Sequence, residues 1–166
     1  SKLYSDELGF FLNNEMDDFS SKPGVPNMYG LTGGQANEIA PNKRMVSSMT
    51  PTIVTKNGKL AMVLGTPGGS TIITTVFQVF LNMAEFGMNA QQAVSALRVH
   101  HQWLPDQLFF EPFAIARTDR NALEARGYFL NERRGYSGRA DCIQIDEEGW
   151  LYGGADPRGS DYTSGF

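Results

Sequence analysis

Thr52-Ile53-Val54-Thr55-Lys56-Asn57-Gly58-Lys59-Leu60-Ala61-Met62-Val63-Leu64-Gly65-Thr66-Pro67-Gly68-Gly69-Ser70 decides the fold. Two β-rich runs flank Asn57-Gly58, a pair that accepts the left-handed backbone of a tight two-residue hairpin turn. The second run ends in a glycine turn. Beyond it Ile72, Ile73, Val76, Val79, Phe80 and Met83 recur at helical spacing up to Gly87, a suitable helix stop. The stretch therefore predicts a hairpin, a glycine turn and an amphipathic helix lying on the sheet. A glycine turn that opens a helix points backbone N–H groups outward, where they favour developing negative charge.

Working outward, Gly9-Phe10-Phe11-Leu12 predicts a short buried strand closed by Asn13-Asn14. Residues 20–41 hold three of the eight prolines and four glycines, which predicts a long ordered loop or lid. A second helix is expected over Ala90 to Leu97 with Asn89 as its N-cap. A strand is expected over Leu108 to Glu111, and a helix over Asp119 to Arg126 closed by Gly127. The last third reads as a hairpin: Ala140 to Ile145, a turn at Glu147-Glu148-Gly149, and a return through Trp150-Leu151-Tyr152. Hairpin connections around two or three helices predict an α+β fold with mostly antiparallel sheet.

At 166 residues the length predicts a single domain over 1–166. A net charge of −4 carries no basic footprint for nucleic acid or for an anionic membrane. The apolar run Ile72 to Ala84 is too short and too interrupted for a membrane span. One cysteine, Cys142, excludes an internal disulfide and leaves the compartment open. No cluster of cysteine, histidine or acid has metal spacing, so neither a metal nor an organic cofactor is expected. His100 and His101 alternate across a strand and cannot readily share an ion, which makes them structural, near Trp103. Arg133-Arg134 reads as a solvated charge pair, and Asp156 with Arg158 as a possible buried ion pair.

Three groups carry candidate chemistry. Glu15-Met16-Asp17-Asp18 reads either as a solvated acidic turn or as paired acceptors for a cationic amine. Ser47-Ser48, between apolar residues and Pro51, reads either as cap and turn serines or as donors to an acid group. Gly68-Gly69 reads either as a packing turn or as a pair of oxyanion donors. A phosphate loop is excluded, since no Gly-Lys-Ser/Thr ending follows.

Five blocks in order add a resemblance: Asn13-Asn14-Glu15-Met16-Asp17-Asp18-Phe19-Ser20, Pro41-Asn42-Lys43-Arg44, Ser47-Ser48-Met49-Thr50-Pro51, Gly65-Thr66-Pro67-Gly68-Gly69-Ser70 and His100-His101-Gln102-Trp103-Leu104-Pro105. Together they resemble the small, C-terminal subunit of the γ-glutamyltranspeptidase family, over nearly the whole chain. The resemblance implies the small-subunit part of an N-terminal-nucleophile hydrolase, a four-layer αββα sandwich cut from an autoprocessed precursor. It implies a γ-glutamyl transferase and hydrolase acting on glutathione through a γ-glutamyl-enzyme, with water, an amino acid or a peptide as acceptor.

By the same resemblance Glu15 and Asp18 hold the substrate α-amine, Ser47 and Ser48 its α-carboxylate, and Gly68 and Gly69 the oxyanion. The three groups are then expected to line one pocket. Arg44 is structural, because the family's main carboxylate-binding arginine lies in the large subunit. That large subunit is the expected obligatory partner, and the expected location is periplasmic, secreted or cell-surface. The nucleophilic threonine is expected upstream of Ser1, so the chain by itself is expected to be inactive. Ser1 is not expected to replace it, because Ser1-Lys2-Leu3-Tyr4-Ser5-Asp6-Glu7 is too polar for a buried first strand. The rival expectations are a non-catalytic module of the same fold and an acylase for other γ-glutamyl material.

Overall fold

A computed structural model describes residues 3–165; Ser1, weighed as a nucleophile, lies outside the described residues. Length predicts one domain, and the backbone contacts gather into two compact units, residues 1–48 and 49–166.

In the first unit β1 (Tyr4–Ser5) and β2 (Phe10–Phe11) form an antiparallel ribbon, with Tyr4 opposite Phe11. Here the expectation of a buried strand fails: Phe10 is 49% and Phe11 69% exposed. Two residues per strand bury no face, and the Phe11 ring meets Tyr4 edge-on at 5.0 Å between ring centroids. A single 3₁₀ turn follows at Glu15–Asp18, and another at Gln35–Asn37. The rest of residues 20–41 is irregular, as the prolines and glycines demand, and is joined by the isolated bridges Ser20–Glu38 and Pro26–Thr32. Asparagine side chains organise it. Asn27 Oδ1 accepts from the N–H groups of Tyr29 and Leu31, both at 3.0 Å, which closes a tight turn in place of a ladder.

The second unit is built on an antiparallel sheet, in the order β3 (Thr52–Lys56), β4 (Lys59–Gly65), β8 (Asp141–Ile145) and β9 (Leu151–Gly154). Asn57 and Gly58 take φ of +53° and +76°, the backbone the hairpin turn requires. Helix α1 (Ile72–Ala84) lays Ile72, Val76, Val79 and Met83 on this sheet. They pack with Leu64, Ala140, Cys142 and the buried face of α2 (Ala90–Ser95). Each such aliphatic burial contributes about 1.5–3 kcal/mol, so the stripe and not intrinsic propensity holds α1. The opposite sheet face is not covered: Ile53 is 71%, Ile143 42% and Leu151 64% exposed.

Asn89 caps α2 as expected, accepting from Gln92 N while the Gln92 side chain accepts from Asn89 N. The helix stops at Ser95, two residues before the expected end, because Ala96 turns to ψ 143°. A second sheet joins β5 (Val99–His100), β6 (Leu108–Phe110) and β7 (Leu130–Glu132), with α3 (Arg117–Ala125) leading into β7. β7 runs parallel to β6, against the expectation of a hairpin pattern. Helix α3 supplies the crossover that a parallel neighbour needs.

Candidate active site

The acidic turn and the serine pair come together within the first unit. Asn13 Oδ1 accepts from Glu15 N at 3.0 Å and starts the 3₁₀ turn that carries both acids. Ser47 Oγ donates to Glu15 Oε1 at 2.6 Å. Ser48 donates from both its N–H and its Oγ to Asp18 Oδ2, each at 3.2 Å. Asn37 joins the two strands of chain: its Nδ2 donates to Asp18 O at 2.6 Å, and its Oδ1 accepts from Val46 N at 3.2 Å. The sequence sets acids and hydroxyls apart, one for an amine and the other for a carboxylate. In the structure they pair with each other. A hydroxyl carries one rotatable proton, so Ser47 and Ser48 satisfy the carboxylates in this state and can turn away from them.

The glycine turn belongs to the second unit. Gly68 has φ +148° and Gly69 +56°, both positive, so both positions favour glycine. Residues Gly69–Thr71 form one 3₁₀ turn that runs directly into α1. The Gly68 carbonyl is taken by Thr71, whose N–H donates at 3.2 Å and whose Oγ1 donates at 2.9 Å. Among the described residues the Gly68 and Gly69 N–H groups meet no acceptor. Two N–H groups at a helix N-terminus can stabilise an anion formed beside them.

Three fully buried charges, Arg98, Glu111 and Asp156, underlie this unit, joined by Arg158, whose side chain is 5% exposed. Asp156 Oδ2 accepts from Arg98 Nη2 and from Ala140 N, both at 2.7 Å. Arg158 reaches Asp156 Oδ1 at 3.1 Å and forks onto Glu111 with Nε at 2.9 Å and Nη2 at 2.6 Å. The Asp156–Arg158 pair was legible in the sequence; Arg98 and Glu111 were not. A charge closing the apolar run Leu108-Phe109-Phe110 was the available signal for Glu111. Burial pushes the Asp156 carboxyl up, but the N–H groups of Arg158 and Ala140 and the Arg98 guanidinium outweigh it and hold it below the usual range. Burial lowers the Arg98 guanidinium against its hydrogen bond to Asp156.

His100 is buried, with Nδ1 2.8 Å from Thr74 Oγ1 and Nε2 2.8 Å from Gln102 Oε1. Gln102 Nε2 donates to Leu104 O, which turns its oxygen to the ring and assigns the proton to Nε2. His101 pairs with Asp106 at 3.0 Å and accepts from Trp103 N. Both rings are held by hydrogen bonds within the fold. Arg133 departs from the solvated reading, since it lies over Phe109 and donates to Ser137 Oγ at 2.7 Å. No group of three potential metal ligands exists among the described residues.

The model of the family described as gamma-glutamyltranspeptidase matches residues 1–166. The chain belongs to the γ-glutamyltranspeptidase family. It is 48% identical over 165 residues to a glutathione hydrolase proenzyme of Escherichia coli (strain K12), covering 99% of this chain and 28% of that protein. It therefore spans between a quarter and a third of that relative's length. A mutant γ-glutamyltranspeptidase of Helicobacter pylori superposes with a TM-score of 0.87 and 50% identity, over 96% of this chain and 87% of the other. The enzyme of Pseudomonas nitroreducens complexed with L-DON gives 0.86 and 43%, over 100% and 86%. The mixed α+β layers are thus the small-subunit part of the N-terminal-nucleophile hydrolase fold. A transpeptidase of Bacillus anthracis shares that fold at a TM-score of 0.68 and 20% identity.

Proposed function

We propose that this chain is the small-subunit part of a γ-glutamyl transferase and hydrolase. It cleaves the γ-glutamyl amide of glutathione and related compounds and passes the acyl group to water, an amino acid or a peptide. The observation that carries this reading is the interleaving of two carboxylates with two hydroxyls in one cluster. An α-amino acid head is a zwitterion, and this set matches both ends of it. The incoming ammonium replaces the serine hydroxyls as donor to Glu15 and Asp18. The hydroxyls then turn to the α-carboxylate, so no carboxylate is left without a donor.

In the same reading Gly68 and Gly69 donate to the oxygen of the tetrahedral intermediate. A threonine outside the described residues attacks the γ-carbonyl, its own α-amine taking the hydroxyl proton. The large subunit of the same precursor is the partner, and the uncovered apolar sheet face at Ile53, Ile143 and Leu151 supports that reading. Among the described residues no helix is long and apolar enough to cross a membrane; a periplasmic, secreted or cell-surface enzyme is proposed from the family.

Turnover of γ-glutamyl-p-nitroanilide tests the proposal. The chain together with the large subunit and the nucleophile is expected to release p-nitroaniline, and the chain alone is expected to release none. Release by the isolated chain overturns the assignment of the nucleophile. No release by the complete enzyme overturns the reaction.

A further inference from the structure

Beneath the glycine turn lies a second glycine that the reaction does not use. Gly138 has φ +68°. A Cβ at Gly68 would lie 3.4 Å from Gly138 Cα and 2.7 Å from Thr71 Oγ1. A Cβ at Gly138 would lie 2.6 Å from Thr75 Oγ1 and 2.9 Å from Thr75 Cγ2. Thr75 is buried in α1, 1% exposed, so it cannot retreat into solvent. Gly68, Gly138 and Thr75 are therefore stacked at closest approach, turn on loop on helix.

The loop that carries Gly138 is fixed on both sides. Ser137 O accepts from Arg98 Nη1 at 2.7 Å, and Ser137 N donates to Glu111 Oε1 at 2.7 Å. Ala140 N donates to Asp156 Oδ2 at 2.7 Å. Arg139 N donates to Thr66 Oγ1 at 2.8 Å, and that hydroxyl donates in turn to Pro67 O at 2.6 Å. Three of these bonds join the loop to the buried charges, and the fourth joins it to the segment that becomes the glycine turn.

We propose that residues 137–140 are the positioning element of the oxyanion turn. The buried Arg98–Asp156–Arg158–Glu111 cluster holds the loop, and Gly138 holds Gly68. The four charges thereby set the direction of two backbone N–H groups that they never touch. Preorganised donors stabilise an oxyanion because they need no reorientation as charge develops, and a small misplacement forfeits much of that gain. The inference rests on the oxyanion role given above to Gly68 and Gly69, and the effect belongs to kcat, since a donor to the oxyanion acts in the transition state.

The test uses the complete enzyme, large subunit and nucleophile included, with two readouts: steady-state kinetics on γ-glutamyl-p-nitroanilide, and hydrogen–deuterium exchange of the peptide covering Gly65–Ser70. Gly138→Ala is expected to lower kcat by about tenfold or more with KM changed by less than about threefold, and to speed exchange in that peptide. Adding Thr75→Ala removes the atoms that the new methyl meets first, so the pair is expected to recover part of the lost kcat. Thr66→Val leaves the core and the loop φ intact and removes the acceptor of Arg139 N; it is expected to lower kcat by about threefold to tenfold, again with faster exchange. It serves as the reporter should Gly138→Ala not accumulate as folded enzyme. Wild-type kcat in Thr66→Val, or a kcat loss without any change in exchange at Gly65–Ser70, overturns the proposal. Exchange does not depend on the substrate, so a wild-type enzyme without turnover breaks the reaction assignment and leaves this readout standing.

Discussion

The acid–hydroxyl cluster and the glycine turn are held in opposite ways. The first sits on irregular chain, its four residues half-buried or exposed and fixed by side-chain hydrogen bonds over sequence gaps of about thirty residues. The second sits at the mouth of a helix packed on a sheet, with four buried charges beneath the adjoining loop. The difference follows the work proposed for each. A zwitterionic head group is recognised by donors and acceptors that can change partners, and rotatable hydroxyls on irregular chain allow that exchange. An oxyanion donor must already point the right way, which a packed helix and a rigid turn provide.

The comparison is broken most severely at Asp156. Alanine there leaves Arg98 and Arg158 buried together without their shared carboxylate and leaves Ala140 N without its acceptor. Removing one partner of a buried pair costs about 3–5 kcal/mol. The denaturation midpoint is expected to collapse, and an unchanged midpoint would refute the energetic role given to the cluster. Next comes Gly68→Ala, whose Cβ meets Thr71 Oγ1 at 2.7 Å on a backbone of positive φ. Displacing one oxyanion donor costs about 3 kcal/mol, so kcat is expected to fall by about a hundredfold while KM moves little. Asp18→Asn comes third. Asn keeps the shape but loses the charge, and a hydrogen bond to a charged group contributes about 1.5–3 kcal/mol. KM for the γ-glutamyl substrate is expected to rise by about tenfold to a hundredfold with the denaturation midpoint unchanged. A loss of stability equal to that of Asp156→Ala would erase the distinction between the two regions.

What the sequence made legible follows the same divide. Local signals read well: Asn57-Gly58 as the hairpin turn, Asn89 as a cap, and the Ile72–Met83 stripe as core all depend on neighbours within a few residues. The buried charges did not read, because Arg98 meets Asp156 across 58 positions and Glu111 meets Arg158 across 47. Phe10-Phe11 misled for a related reason, since apolarity records a tendency to be covered and not which chain does the covering. Glu15, Asp18, Ser47 and Ser48 stand out in the sequence, but their mutual pairing does not. A spacing shows which residue types are present, and only coordinates show that a donor spends its proton on a neighbour.

The mildest test works by pH within the second unit. Burial, the largest influence, lowers the His100 imidazole below its usual value; the Gln102 hydrogen bond opposes it, and Arg133 and His101 reinforce it. A base whose value is depressed in the fold leaves the unfolded chain holding more protons. Its contribution is therefore fully present above the unfolded value of about 6.5 and is lost as pH falls through that value toward the folded one. Asp156, also depressed in the fold, contributes above the ordinary carboxylate value of about 4 and loses its share only below it. The His100 window therefore opens at a higher pH than the Asp156 window. Between about pH 7 and pH 5 the denaturation midpoint is expected to decline gently, and His100→Gln is expected to flatten that decline without touching the acid limb near pH 4. An equally steep decline in the variant would move the pH sensitivity away from the ring between Thr74 and Gln102.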